Sequence, residues 1–195
     1  YYYQSLPLCV IDAVFSIGIR YTSTRKTVMN ICDKLSVGRL RPYRSSYPPI
    51  KKQISVSNFL EIYEVNSISE ITEIYYNNRC RTSPKNGILK SVATRRFCEV
   101  LKNHKVEFLQ DVSRIIGNEN FEQEIKLIPG QKSGISTSYF YMLAGDEGFI
   151  KPDRMVFRFV DSCIETLSLN IADLTNVINR VHAELLKDFP TLTLR

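Results

Sequence analysis

The sequence predicts an all-α protein, and two features of its pattern carry that expectation. Apolar residues recur at helical rather than strand spacing through most of the chain, although β-branched residues are common enough to suggest sheet on propensity alone. Helix-initiating side chains also stand just ahead of several of these runs. Taken in order, the spacing predicts helices over 6–19 and 24–35, then 57–65. Ser67-Ile68-Ser69-Glu70 has the serine-to-glutamate spacing of a capping box and predicts a short helix through Ile71, Ile74 and Tyr75, ending at Asn77-Asn78. Ser83 followed by Pro84 predicts a helix from Pro84 to Lys102, with Ile88, Leu89, Val92, Ala93, Phe97, Val100 and Leu101 facing inward. Further helices are expected at 106–116, 136–144 and 154–168. The clearest stripe is Ile171, Leu174, Val177, Ile178, Val181 and Leu185, on a helix from Ile171 to Lys187 with Asn170 placed to cap it. Between Val37 and Ser55, Pro42, Pro48 and Pro49 alternate with Arg39, Arg41, Arg44, Lys51 and Lys52, which reads as a basic loop or extended arm.

With 195 residues, 44% hydrophobic and 24% charged, the composition is that of a globular protein of one domain or two small lobes sharing a core. Asp12 interrupts the longest apolar run, Leu6 to Ile19, well short of the roughly 20 residues a membrane-spanning helix requires. Tyr1-Tyr2-Tyr3-Gln4 lacks the basic segment that precedes a secretory signal, so an intracellular protein is expected. Cys9, Cys32, Cys80, Cys98 and Cys163 are scattered, odd in number and without a C-x-x-C pair, which reads as reduced thiols. Only His104 and His182 could supplement them, so no metal and no cofactor is expected. Lys and Arg number 26 against 20 Asp and Glu, a net charge of +6 that suits an anionic partner.

One segment looks specialised. Leu127-Ile128-Pro129-Gly130-Gln131-Lys132-Ser133-Gly134-Ile135-Ser136 places two glycines and a lysine just before an aromatic helix, and Gly145-Asp146-Glu147-Gly148-Phe149-Ile150-Lys151-Pro152-Asp153-Arg154 follows it. Such a turn can point backbone N–H groups and a helix N-terminus at a phosphate, with Gly130, Gln131, Lys132 and Gly134 as its candidates. The order is not that of a Walker loop, and a tight helix-to-helix connection with glycines at positive φ is the structural alternative. Asp153 has the same two readings, since it stands at the N-cap of the run Met155, Val156, Phe159, Val160.

These residues carry a resemblance. Leu6-Pro7 to Ser16, the junction Arg20-Tyr21-Thr22-Ser23, the helix containing Lys90 to Leu101, then Ile128-Pro129-Gly130 with Gly134, and Lys151-Pro152-Asp153-Arg154-Met155-Val156-Phe157-Arg158-Phe159 together resemble the helix-hairpin-helix base-excision DNA glycosylase superfamily, the one that includes endonuclease III. The resemblance spans about residues 6–187. It implies a two-lobed helical fold, one lobe at 20–145 carrying the hairpin at 128–136 and the other made of 1–19 and 146–195, with a cleft between them. It further implies double-stranded DNA as partner, a hairpin gripping phosphate, and Asp153 as the carboxylate beside the sugar of a flipped nucleotide. Arg20 and Tyr21 fall at the junction from which a side chain contacts the base or fills the gap it leaves.

Three departures refine the expectation. Where strand-cleaving members carry a lysine nucleophile, at the start of the helix after the hairpin, this chain has Gly134 and Ile135, which implies a monofunctional enzyme. The four-cysteine cluster motif of many members is absent, and the hairpin's second glycine falls at 134 rather than 132. A non-catalytic helix-hairpin-helix nucleic-acid-binding module and a helical protein-interaction domain are the alternatives.

Overall fold

A computed structural model describes residues 2–42, 46–163 and 169–194. Arg44 of the basic arm and the last five positions of the helix expected at 154–168 lie outside these residues. The described residues form helices with no β-strand, joined by short loops and two isolated backbone bridges, Tyr3 to Leu40 and Arg81 to Leu89.

Helix α1 (Leu6–Phe15) is buried along its whole length, Asp12 included. Pro7 in its first turn has no N–H to lose there, which suits an entry into the core. The helix ends at Phe15, earlier than the apolar run predicts, because Gly18 adopts a positive φ of 69° and turns the chain toward α2 (Tyr21–Leu35). Around α1 pack α2, α3 (Val56–Val65), α5 (Lys90–Asn103) and α7 (Ile135–Ala144). Thus α1, grouped by sequence with the C-terminal segment, runs through the centre of a core built from Tyr3 to Phe149.

The capping box at Ser67 is present. The Glu70 carboxylate accepts from the Ser67 N–H at 2.8 Å, and Ser67 Oγ accepts from the Glu70 N–H at 3.2 Å. This opens α4 (Ile68–Glu70), which passes into a wider π-type turn over Ile71–Tyr75. The helix expected from Pro84 begins instead at Lys90. Residues 80–82 and 88–90 pair as a small loop closed by Thr82 N–H to Ile88 O and Lys90 N–H to Cys80 O, so the proline serves a turn and not a first helical position. The 106–116 stretch is a single tight 3-10 segment, Leu109–Arg114. In the basic arm Arg41 is buried rather than solvated, its guanidinium 4.1 Å from the Tyr2 ring centroid and 5.2 Å from that of Tyr47.

Helices α5, α6 (Glu119–Leu127) and α7 join through a run of rings, Phe97 to Phe121 and Phe140, then Tyr141. The C-terminal pair is different. Asp153 and Asn170 cap α8 (Arg154–Cys163) and α9 (Ile171–Leu185) as their spacing predicts, yet Val160 and Leu174 are the residues these helices bury. Met155 and Phe159 stay 67% and 69% exposed, and Val181 and Leu185 of the expected stripe are also exposed.

Burying α1 leaves its last carbonyls without water. Lys90 supplies the donors: its ammonium reaches the Phe15 carbonyl at 3.0 Å and that of Ile17 at 2.7 Å. Burial lowers its pKa to about 8. Since the unfolded lysine holds its proton up to about 10.4 and the folded one releases it near 8, stability should rise with pH between those values. Chemical unfolding at pH 7.5 and pH 10 should therefore show wild type gaining stability relative to Lys90→Met; a constant difference would contradict the assignment.

Candidate functional site

Asp12 is the chemical centre of the core. Tyr3 donates its hydroxyl proton to Asp12 Oδ2 at 2.7 Å, and the Tyr139 hydroxyl donates to the same oxygen at 3.5 Å. Burial raises the Asp12 pKa, against the Tyr3 hydrogen bond, the Lys151 charge and the Tyr139 hydrogen bond, which act the other way. Tyr3 is in turn held firmly neutral, by its own burial and by the Asp12 charge. Lys151 completes the group: its ammonium donates to Ser16 Oγ at 2.9 Å and lies 4.0 Å from the Tyr139 ring centroid. Burial lowers the pKa of Lys151, while Asp12 and Asp153 both support its charge. A single lysine thus sits in the field of the buried Asp12 and of the helix-capping Asp153.

A cavity of about 310 Å³ opens beside this group. Tyr3, Asp12 and Tyr139 form its buried lining, Val28, Leu40 and Leu143 an apolar wall, and Tyr21, Arg25 and Arg39 its more exposed part. Burial raises the Tyr21 hydroxyl, whereas contact with Tyr3 and the charges of Arg25 and Arg39 lower it. The arrangement offers aromatic and apolar surface, a buried carboxylate and two more exposed cations.

The hairpin joins α6 to α7 over residues 128–134. Gly130 has φ 89° and an added Cβ would overlap the Cβ of Thr82, so both conformation and space demand glycine there. Gly134 has φ 76° at the N-cap of α7, where a Cβ would meet only Lys126 Cε at 3.8 Å. The Gln131 side chain is 1% exposed and its N–H is bonded to the Ile128 carbonyl, so neither faces an anion outside. Gly134 N–H is likewise bonded to Gln131 O. The group turned outward is the exposed Lys132 side chain; at the start of α7 Ser136 and Thr137 are buried and the Ile135 N–H donates to Ser133 Oγ at 3.5 Å.

Asp153 is half-buried. Its Oδ1 accepts from the Met155 N–H at 2.8 Å and the Val156 N–H at 3.3 Å, which fixes the carboxylate at the start of α8. Of the junction residues, Tyr21 lines the cavity with 55% of its surface exposed, while Arg20 is exposed at the N-cap of α2 and outside the cavity lining. His104 pairs with Glu124 at 3.0 Å and stacks edge-on against Phe121, a packing role. Among the described residues no group of three or more His, Cys, Asp or Glu side chains comes together to hold a metal ion.

A family model described as Domain of unknown function (DUF8548) matches residues 1–194. The chain belongs to this family. No curated protein and no solved structure matches it. In this DUF8548 chain sequence reasoning passes over Asp12, Lys90, Arg25 and the partners of Lys151. The signal for two of them was present: an aspartate inside a wholly apolar helix, and a lysine at the inward-facing start of α5, each of which must find a partner if buried.

The two hairpin glycines give a direct check. Gly130→Ala should cost more than about 2 kcal/mol, from positive φ plus the overlap with Thr82, and Gly134→Ala about 1 kcal/mol, from positive φ alone. Thermal or chemical unfolding measures both, and Thr82→Gly should recover part of the first loss and none of the second.

Proposed function

We propose that this DUF8548 chain is a monofunctional DNA N-glycosylase that hydrolyses the base–sugar bond of a flipped nucleotide in double-stranded DNA. The observation that carries the reading is the succession of two helices joined by a turn with two glycines at positive φ, α6 to α7, and an aspartate locked at the N-cap of α8, which shares Lys151 with a tyrosine-lined cavity. The positive net charge and the outward-facing Lys132 support contact with phosphate.

In this reading the duplex lies across the hairpin and the target base enters the cavity, with Tyr21 at its mouth. Departure of the base develops positive charge on the sugar, which the Asp153 carboxylate stabilises. A water then bonds to the anomeric carbon, the base leaves with the bonding electron pair, and Asp153 takes the water proton. The absence of lysine at Gly134 and Ile135 favours hydrolysis over an imine to the protein.

Base release from duplexes bearing lesions, modified bases or mismatches tests the reading. Asp153→Asn keeps the capping oxygen and should leave stability near wild type while slowing release at least about 100-fold. Asp153→Ala should lose both release and about 1 kcal/mol of stability. Unchanged release by Asp153→Asn would end the catalytic assignment, and binding without release from any duplex would assign a non-catalytic nucleic-acid-binding module. Duplex affinity should fall more than about tenfold between 50 and 200 mM salt, less steeply in Lys132→Ala.

A further inference from the structure

Asp12 has one oxygen satisfied and one not. Both tyrosine hydroxyls, Tyr3 and Tyr139, go to Oδ2, while Oδ1 is buried and has no hydrogen-bond partner among the described residues. A buried carboxylate oxygen without a donor is costly, and such an atom in a cavity lining marks where a ligand donor belongs. At about 310 Å³ the cavity lies at the small end of the range, about 300–1,000 Å³, typical of ligand sites. At its more exposed part stand Arg25 and Arg39, which form no salt bridge among the described residues. The cavity is therefore polarised, with a buried acceptor, tyrosine rings in its lining and cations at its more exposed part.

We propose that this cavity takes a nucleotide base-first, that Asp12 Oδ1 accepts a hydrogen bond from an N–H or NH2 group of the base, and that Arg25 and Arg39 hold its phosphate. Asp12 is then the residue that sets base specificity, admitting rings with a donor on the inserted edge and rejecting those without one. The Lys151 charge and the two tyrosine hydrogen bonds favour the ionised carboxylate, in which form Oδ1 has only accepting capacity to offer. The proposal deepens the glycosylase reading and rests on it for DNA as one source of the nucleotide, the other being a free nucleotide of the same chemistry.

The decisive comparison uses the full chain and pairs of purines that differ in one donor. In one arm AMP, GMP and the monophosphate of unsubstituted purine riboside are titrated by calorimetry. In the other, duplexes carrying 2-aminopurine or unsubstituted purine at one position are titrated, with 2-aminopurine fluorescence reporting unstacking. Donor-bearing bases should bind at least about tenfold more tightly than unsubstituted purine. Binding confined to the first arm identifies a free nucleotide as the source, and binding confined to the second a flipped one; either upholds the site.

Asp12→Asn gives a readout that mere packing would not. The amide oxygen stays with the two tyrosine hydroxyls, so the amide NH2 replaces the acceptor at the Oδ1 position and the order of preference should invert in favour of unsubstituted purine. Arg25→Ala should weaken nucleotides but not nucleosides. Equal affinity for both members of a pair, an unchanged ranking in Asp12→Asn, or binding in neither arm overturns the proposal, the last leaving Oδ1 to a buried water. Donor-dependent binding without base release removes the glycosylase and keeps the site, whereas Asp153-dependent release without donor preference keeps the glycosylase and removes the site.

Discussion

A helix with no solvent-facing side is the constraint on which this molecule is built. All ten residues of α1 are buried, so every polar group it carries must be answered from a neighbouring helix or segment. Oδ2 of its carboxylate is answered by Tyr3 from the preceding segment and Tyr139 from α7, and its charge by Lys151 from beyond α7. Its last carbonyls are answered by the ammonium of Lys90 from α5. These contacts span some 140 positions of sequence, and they tie the hairpin helix α7 and the approach to Asp153 to one buried axis. Replacing Asp12 with an apolar residue would remove a partner of the Lys151 charge and the carboxylate from the cavity.

The same arrangement separates rigid from accessible parts. Gly130 presses its backbone against Thr82 and Gln131 is buried, so the turn is anchored from inside and presents Lys132 to the outside. An anchored turn is what a positioning contact to a phosphate backbone requires, since such contacts fix register without reading sequence. Toward the C-terminus, α8 and α9 have their caps in place but bury little beyond Val160 and Leu174, leaving Met155, Phe159, Val181 and Leu185 exposed. The capping aspartate is thus better determined than the packing of the helix it starts.

How far the site was legible follows from the range of the interactions concerned. Local chemistry was readable. The box at Ser67, the caps at Asn170 and Asp153, and the positive φ of Gly130 and Gly134 each depend on residues within four positions of one another or on one backbone angle, and the sequence predicts each of them. Ser83-Pro84 misled for the same reason: a serine before proline suits a helix start, but pairing of 80–82 with 88–90 was worth more to the chain than six further helical residues.

By itself, then, the sequence determined the all-α class, the positions of most helices and the residues that start them, because periodicity and capping are properties of neighbouring residues. The tertiary structure alone decided that α1 lies at the centre of the core, that Arg41 is buried between two rings, and that Asp12, Tyr3, Tyr139 and Lys151 form one group beside a cavity. Whether a lone charge in an apolar run is a surface residue or a buried centre depends on which distant side chains reach it, and no spacing rule encodes a meeting of positions 12 and 139.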